Sequence, residues 1–264
     1  MPYINVEGDQ LYYEIHGTGQ PFVFLHGLGG SSLAIKNTYH PIDQIQLIVI
    51  DLPAHGRSQW TGNQYDFKFL AKSVVKLMDE LGYSTFYLGG ISMGAAVSLR
   101  LALDFPQMVE KLVLIRSAWI NKPMDERFIE LFDLCAHHLD TKDLEGFKRQ
   151  TKYIKFAKDN QRFGDLFLAF FLDRAAHRYP SKFAFLPKER PFTEWSELAK
   201  ITCPTLVLGN RQDVIHPFEY SEQIAQHLSN SRFYEIISKD VDSSKHLKQL
   251  NYHLKSFLLI NEKP

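Results

Sequence analysis

The sequence predicts an α/β protein with a mostly parallel, twisted sheet covered by helices. Short apolar runs alternate with segments of helical periodicity along most of the 264 residues, which is typical of this class. A serine between two glycines lies where one apolar run meets a helical segment. Between residues 117 and 199 the strand-like runs stop and the spacing of apolar residues becomes helical, which predicts an insertion.

Composition and charge restrict the class of protein. Lys and Arg total 30 and Asp and Glu total 30, so the net charge is zero, which argues against a general nucleic-acid binder or a polybasic membrane surface. Hydrophobic residues make up 45% of the chain, as in a globular protein. The longest apolar run, residues 166–172, is far shorter than the ~20 residues of a membrane span. The first residues lack the pattern of a secretory signal, so we expect a cytoplasmic protein.

The cysteines predict neither a disulfide framework nor a metal site. Cys135 and Cys203 are the two cysteines of the chain and lie in no paired C-x-x-C motif, so we expect buried thiols. His137 and His138 lie close to Cys135, but adjacent histidines on a helix diverge and no fourth ligand is evident. We therefore expect no metal and no cofactor.

The individual elements follow from local patterns. A hairpin is predicted from residues 3–6 and 11–15, with a turn at Glu7, Gly8 and Asp9. Gly82 is a plausible stop for an amphipathic helix over residues 66–81. The other predicted strands are residues 22–25, 46–50, 85–88, 111–115, 204–208 and 233–237, and the other core helices follow Gly94, span residues 218–228 and follow His246.

The return of strand-like runs near residue 204 predicts two domains. We expect residues 1–116 and 200–264 to form the core domain and residues 117–199 to form a helical cap. Such a cap would cover the carboxyl edge of the sheet, where open α/β sheets bind ligands.

The segment Gly90-Ile91-Ser92-Met93-Gly94 matches the pattern G-x-S-x-G between a predicted strand and a predicted helix. In this context the glycines permit a sharp turn that lifts the serine hydroxyl clear of the sheet. The alternative is a glycine-rich turn whose serine caps the helix. We favour Ser92 as a nucleophile, which then requires a base within hydrogen-bond reach and an acid that orients the base.

Of the 11 histidines, only one in a loop beyond a late strand would reach the same edge as Ser92. We favour His246, which follows the loop of residues 238–245 and precedes the last helix. His216, in another edge loop, and His253, inside the last helix, are the alternatives.

The favoured acid is Asp213, in the loop that follows the strand of residues 204–208. The alternative for Asp213 itself is an ordinary turn residue. Asp240 and Asp242 are closer to His246 along the chain, but they share its loop and have the character of turn residues.

With Ser92, Asp213 and His246 in this order, the chain resembles the α/β-hydrolase superfamily over nearly its whole length. Two further motifs carry the resemblance: His26-Gly27-Leu28, and the segment from Asp51 to Ser58, which has Ala54 where similar sequences have glycine. Lys245 also replaces the glycine that often precedes the catalytic histidine. The resemblance implies an oxyanion hole formed by the backbone N–H groups of Leu28 and Met93, and a structural role for His26.

The nucleophile position points to acyl transfer, because dehalogenases and epoxide hydrolases of this superfamily have aspartate where this chain has Ser92. We therefore expect a serine hydrolase, similar to carboxylesterases, that cleaves small or medium carboxylic esters, including lactones or monoacylglycerols, with water as the acceptor. A C–C bond hydrolase or an enol-lactonase would use the same triad, and a ligand-sensing signalling protein is the alternative of another class.

We expect most aromatic residues of the predicted cap to pack the cap onto the sheet. The alternative is that some of them line an apolar pocket. Those considered are Trp119, Phe128, Phe132, Phe163, Phe167, Phe170 and Phe171. The candidate pocket residues are Trp119, Phe167, Phe171, Val214 and Leu247.

Overall fold

The computed structural model describes residues 2–6, 8–62 and 64–259. The strands are β1 (Tyr3–Val6), β2 (Asp9–His16), β3 (Gln20–Leu25), β4 (Ile45–Ile50), β5 (Phe86–Ile91), β6 (Val109–Ile115), β7 (Thr205–Gly209) and β8 (Ser231–Glu235). They form an eight-stranded sheet with the order β1-β2-β4-β3-β5-β6-β7-β8. The β1–β2 and β2–β4 pairs are antiparallel and the other pairs are parallel, which confirms the predicted fold class.

Helices cover both faces of the sheet, because the central strands are apolar on both sides. In β3, Val23 and Leu25 belong to one core cluster, whereas Phe22 and Phe24 belong to the cluster on the opposite face. The helices are α1 (Ser32–Lys36), α2 (Phe67–Glu80), α3 (Met93–Asp104), α4 (Glu126–Asp140), α5 (Leu144–Lys148), α6 (Thr151–Asp159), α7 (Gln161–Phe170), α8 (Arg174–Arg178), α9 (Ser181–Phe185), α10 (Phe218–His227) and α11 (Ser243–Leu259).

Helix α2 shows how the local signals set element ends. The Asp66 carboxylate accepts a hydrogen bond from Phe69 N at 2.7 Å, which caps the first turn. At the other end Gly82 has φ +80°, and Tyr83 N donates to Met78 O at 2.9 Å. This is a Schellman ending, which requires the left-handed backbone that glycine adopts readily.

Three differences from the predicted elements occur where the pattern is weak. Strand β8 begins and ends two residues before the predicted 233–237, because this edge strand has mostly exposed residues and little apolar pattern. Helix α11 begins three residues before His246, so that histidine lies within the first helical turn. Helix α1 was not predicted, and Glu7 of the predicted hairpin turn lies outside the described residues.

Six helices, α4–α9, lie between β6 and β7 within the described chain, and we call this segment the helical insertion. It contacts the rest of the chain through buried polar groups as well as apolar ones. The Lys182 ammonium is fully buried and donates to Ala54 O at 2.7 Å and to Ala175 O at 3.1 Å. One lysine thus joins the insertion to the loop that follows β4. Over residues 2–6, 8–62 and 64–259, we find no helix with both the length and the apolarity to cross a membrane.

Replacing the α2 cap, Asp66→Ala, should lower the free energy of unfolding by about 1 kcal/mol, because Phe69 N loses its acceptor. Urea unfolding measures the change. The control is Lys72→Ala, at an exposed position of the same helix, which should stay within about 0.5 kcal/mol of wild type. Equal losses in both variants would contradict the capping role.

Candidate active site

The candidate active site lies at the turn between β5 and α3. Ser92 has φ 58° and ψ −114°, a backbone conformation that non-glycine residues rarely adopt. A Cβ atom on Gly90 would lie 2.1 Å from the carbonyl carbon and oxygen of Gly94. The two glycines therefore let the strand and the helix approach closely, and Ser92 lies at the apex.

The hydroxyl of Ser92 forms a hydrogen-bonded chain with a histidine and an aspartate. Ser92 Oγ lies 2.8 Å from His216 Nε2, and His216 Nδ1 lies 2.8 Å from Asp213 Oδ1. The carboxylate accepts from Nδ1, so the neutral ring carries its proton there and Nε2 accepts the serine proton. The backbone N–H of His216 also donates to Asp213 Oδ1, at 3.1 Å. Three residues in the order Ser, Asp, His thus form the geometry of a catalytic triad.

The structure brings His216, and not the favoured His246, to Ser92. His246 lies in the first turn of α11, and its Nδ1 lies 2.7 Å from the carbonyl oxygen of Ile237. This bond holds the ring against the loop that follows β8, and among the described residues His246 shares no hydrogen bond with Ser92 or Asp213. A sequence signal for His216 was present: the acid and a histidine only three residues apart, in one loop at the edge of the sheet.

The other candidates for base and acid, His253, Asp240 and Asp242, have partners other than Ser92. His253 stacks on Tyr234, with ring centroids 4.4 Å apart. Asp240 pairs with the guanidinium of Arg162. Asp242 accepts from Lys245 N at 2.9 Å at the start of α11. None of the three contacts Ser92 within the part of the chain that the structure describes.

Burial and charge keep Asp213 ionised and His216 neutral. Burial alone would raise the pKa of Asp213, but His216 and Arg116 outweigh it and hold that pKa well below its usual range. Arg116 Nη1 lies 3.3 Å from Asp213 Oδ2. Burial lowers the pKa of His216 more than Asp213 raises it, and Arg116 and Lys239 lower it further. A neutral imidazole beside the serine hydroxyl is the state that a general base requires.

Two backbone N–H groups beside Ser92 are free to bind an anion. Among the described residues, neither Leu28 N nor Met93 N donates a hydrogen bond within the protein. Met93 opens α3, where the first N–H groups of a helix have no partner in the helix. The loop that carries Leu28 lies against the serine, since a Cβ atom on Gly27 would be 3.4 Å from Ser92 Cβ.

Two buried histidines hold this loop in place. His26 Nε2 accepts from Leu52 N at 3.1 Å, and His55 Nε2 accepts from Gly29 N at 3.1 Å. Burial lowers the pKa of His26, and that of His55 further, so both rings are neutral acceptors. Both join the loop after β3 to the loop after β4.

The loop after β4 has Ala54 at the position where similar sequences have glycine. Ala54 has φ +65°, the left-handed conformation for which glycine is preferred. The Asp51 carboxylate orders the same loop, because it accepts from Ser32 N at 2.6 Å and from Arg57 N at 2.9 Å. A Cβ atom on Gly56 would lie 2.3 Å from Asp51 Oδ2, so this glycine allows the carboxylate to approach the backbone.

Aromatic residues of α7 cover the site. The Phe163 ring centroid lies 6.5 Å from that of His216. A Cβ atom on Gly29 would lie 2.3 Å from the Phe170 ring, so this ring packs directly on the loop that carries Leu28. The pocket residues predicted from the sequence include neither Phe163 nor Phe170.

The predicted pocket residues make the following contacts. Trp119 packs edge-on against Phe67 and donates to Leu186 O at 3.1 Å. Phe167 and Phe171 pack against rings within the helical insertion. Val214 is exposed and lines a cleft of about 370 Å³ between α4, α6 and the Asp213 loop, and Leu247 is half-buried in α11.

Neither cysteine takes part in the site. Cys135 is buried in α4 and Cys203 is half-buried, and both thiols are free. Burial raises the pKa of the Cys203 thiol to about 11. Within residues 2–6, 8–62 and 64–259, no group of three or more His, Cys, Asp or Glu side chains is placed to hold a metal ion.

Comparison with known proteins supports the same fold. The model of the alpha/beta hydrolase fold family matches residues 20–134, which include the turn at Ser92. The solved structure of MGS-M2, an alpha/beta hydrolase enzyme from a Medee basin deep-sea metagenome library, superposes with a TM-score of 0.79 at 19% identity, covering 99% of this chain and 98% of that one. The chain has the alpha/beta hydrolase fold.

Two curated relatives resemble this chain in sequence. The uncharacterized hydrolase YugF of Bacillus subtilis is 26% identical over 240 residues, covering 88% of this chain and 87% of the relative. The dihydrolipoyllysine-residue acetyltransferase component of the acetoin cleaving system of Pseudomonas putida is 34% identical over 131 residues, 48% of this chain. The aligned part is 35% of that relative, so this chain spans only about a third of its length.

The variant Gly90→Ala should lower the free energy of unfolding by about 1–3 kcal/mol, because the added Cβ meets backbone atoms of Gly94 that cannot rotate away. Urea unfolding measures it. Ser98→Ala in α3 is the control: its hydroxyl is buried without a partner, so its removal should be neutral or slightly stabilising. A Gly90→Ala variant as stable as wild type would contradict the close approach.

Proposed function

We propose that this α/β hydrolase is a serine hydrolase that cleaves small or medium carboxylic esters through an acyl-enzyme on Ser92, with His216 as the general base and Asp213 as its orienting acid. The observation that carries the proposal is the unbroken chain of hydrogen bonds, 2.8 Å from Ser92 Oγ to His216 Nε2 and 2.8 Å from His216 Nδ1 to Asp213 Oδ1. It has the geometry by which a serine hydroxyl is activated at neutral pH.

In the first half-reaction, Ser92 Oγ attacks the ester carbonyl carbon while its proton passes to His216 Nε2. The ionised Asp213 stabilises the imidazolium that results. The negative charge on the carbonyl oxygen is stabilised by Leu28 N and Met93 N, and a donor of this kind is worth about 3 kcal/mol in the transition state. The tetrahedral intermediate collapses, His216 returns the proton to the alkoxide, and the alcohol leaves.

In the second half-reaction, water attacks the acyl carbonyl and His216 Nε2 accepts a proton from it. Collapse of the second tetrahedral intermediate breaks the bond to Ser92 Oγ, which takes the proton back, and the carboxylic acid is released. Ser92, His216 and Asp213 act in both half-reactions, and the proposed mechanism requires no cofactor. The rings of Phe163 and Phe170 beside the site favour an apolar acyl or alcohol group.

Replacement of each histidine by asparagine identifies the base. Asparagine can keep a donor near the Nδ1 position but supplies no base. His216→Asn should lower kcat/KM on p-nitrophenyl esters by about a thousand-fold or more, because the proton of Ser92 loses its acceptor. His246→Asn, which can retain the bond to Ile237 O, should keep most of the activity. An inactive His246→Asn beside an active His216→Asn would reverse the assignment.

A second variant tests the nucleophile on the same esters, from acetate to laurate. Ser92→Ala should abolish turnover with the fold intact by circular dichroism, and a fluorophosphonate should add covalently to Ser92 in wild type alone, as read by mass spectrometry. No ester turnover above the Ser92→Ala background would overturn the esterase proposal. A C–C bond hydrolase or an enol-lactonase would then be tested with ring-cleavage diketones and enol-lactones.

The pH profile should follow the protonation of His216. Burial lowers the pKa of this base from the ordinary 6.5, so kcat/KM should be constant near neutrality and fall only as the pH drops below about 6.5, when the imidazole becomes charged. Initial rates between pH 4.5 and 8.5 measure this fall of kcat/KM at acid pH. An inflection above 6.5 would contradict a buried, neutral His216.

A further inference from the structure

Three cationic side chains lie within electrostatic range of Asp213, and one of them, Arg116, contacts its carboxylate. They are Arg116 after β6, Arg162 on α7 and Lys239 in the loop between β8 and α11, and we call them the cation cluster. Arg116 and Arg162 both act electrostatically on Lys239, and Asp213 acts on all three. In the proposed mechanism none of these three cations contacts the reacting atoms.

Arg116 lies at the same sheet edge as the nucleophile. Ser92 N donates to Ile115 O at 2.9 Å, and Arg116 N donates to Leu208 O at 2.8 Å, so the arginine lies between the ends of β5 and β7. Its φ is +49°, an unfavourable value for a residue with a side chain. Backbone strain of this kind is often found at functional sites.

The cluster has hydrogen-bond donors left over. The Arg116 side chain is 9% exposed, and its Nε is buried with no partner within the described residues. Its Nη1 makes one long contact of 3.3 Å with Asp213 Oδ2. Lys239 is half-buried and, within the same part of the chain, forms neither a hydrogen bond nor an ion pair. A buried donor without an acceptor is unfavourable unless a ligand supplies one.

The charges in the cluster do not balance. Arg162 pairs with Asp240, and Asp213 interacts electrostatically with all three cations. Both Asp213 oxygens are occupied, Oδ1 by His216 and Oδ2 by Arg116. Three cations against two carboxylates leave one positive charge. Burial and the two arginines accordingly lower the pKa of Lys239 to about 7.

We propose that the cation cluster binds a carboxylate carried by the substrate, so that the natural ester has an anionic group, as in a monoester of a dicarboxylic acid. This inference rests on the proposed esterase function. One surplus positive charge matches a monoanion, whereas a phosphate monoester carries more negative charge. The fork of arginine donors and a lysine ammonium suit the two oxygens of a carboxylate.

The kinetic test compares charged and neutral esters of equal size. The substrates are the monomethyl esters of succinic, glutaric and adipic acids and the methyl esters in which an amide replaces the free carboxyl. Rates of methanol release are measured at pH 7, above the acid limb of His216 and where a substantial fraction of Lys239 is protonated. For the best chain length, wild type should prefer the carboxylate by about tenfold or more in kcat/KM, the effect of one charge-assisted hydrogen bond.

Matched variants locate the effect. Lys239→Gln should raise KM for the carboxylate substrate by about tenfold while its kcat stays nearly the same. The kinetic constants for the amide substrate should also stay nearly the same, so the preference for the carboxylate substrate should disappear. Lys245→Gln, an exposed lysine six residues further on, should behave as wild type. Arg116 is left unchanged because it also contacts Asp213.

A binding measurement separates this inference from the esterase proposal. Glutarate should raise the melting temperature of Ser92→Ala protein, and Lys239→Gln in the same background should lose the shift. The carboxylate site alone would be overturned if the amide-containing methyl esters are hydrolysed, the carboxylate substrates are not preferred and glutarate does not raise the melting temperature. A preference for the carboxylate substrate that survives Lys239→Gln would also overturn it. A larger shift with inorganic phosphate than with glutarate would overturn the choice of anion. Without turnover of any ester, the esterase proposal fails whatever glutarate does.

Discussion

The backbone at Ser92 changes from strand to helix within one residue, and the rest of the site depends on that turn. Its conformation costs on the order of 1–3 kcal/mol, which the surrounding packing must supply. Gly94 takes part because a Cβ atom there would lie 2.3 Å from Leu25 O. The helix therefore lies directly on the end of β3. That contact also brings the loop with the free Leu28 N–H beside the serine hydroxyl.

Much of this arrangement follows from local sequence. Strands buried on both faces are continuous apolar runs, so β3, β4 and β6 are recognisable within about two residues. Ser92 is marked by its glycines, and Asp213 by its place after β7, because the carboxyl ends of parallel strands meet at one edge. For the same reason the fold class is predictable before any tertiary contact is known.

The histidine was not predictable in this way, since ring orientation is a tertiary property. His216 lies in a loop at the correct edge and His246 lies in the first turn of α11. The hydrogen-bond partner of each ring decides between them: the carboxylate of Asp213 for His216 and the carbonyl oxygen of Ile237 for His246. The choice of pocket residues meets a similar limit. Helical spacing identifies the aromatic side of α7, but it does not tell which ring packs inside the insertion, as Phe167 does, and which reaches the site, as Phe163 does.

The placement of Asp213 and His216 in one turn has a consequence for helix α11. When acid and base come from separate loops, their distance depends on how two helices pack, and substitutions in either helix disturb it. Here the pair is set by four consecutive residues and by one side-chain bond with one backbone bond. In the proposed mechanism helix α11 therefore supplies no catalytic group. The relative position of the proposed acid and base then depends on the conformation of one loop and not on the packing of α11.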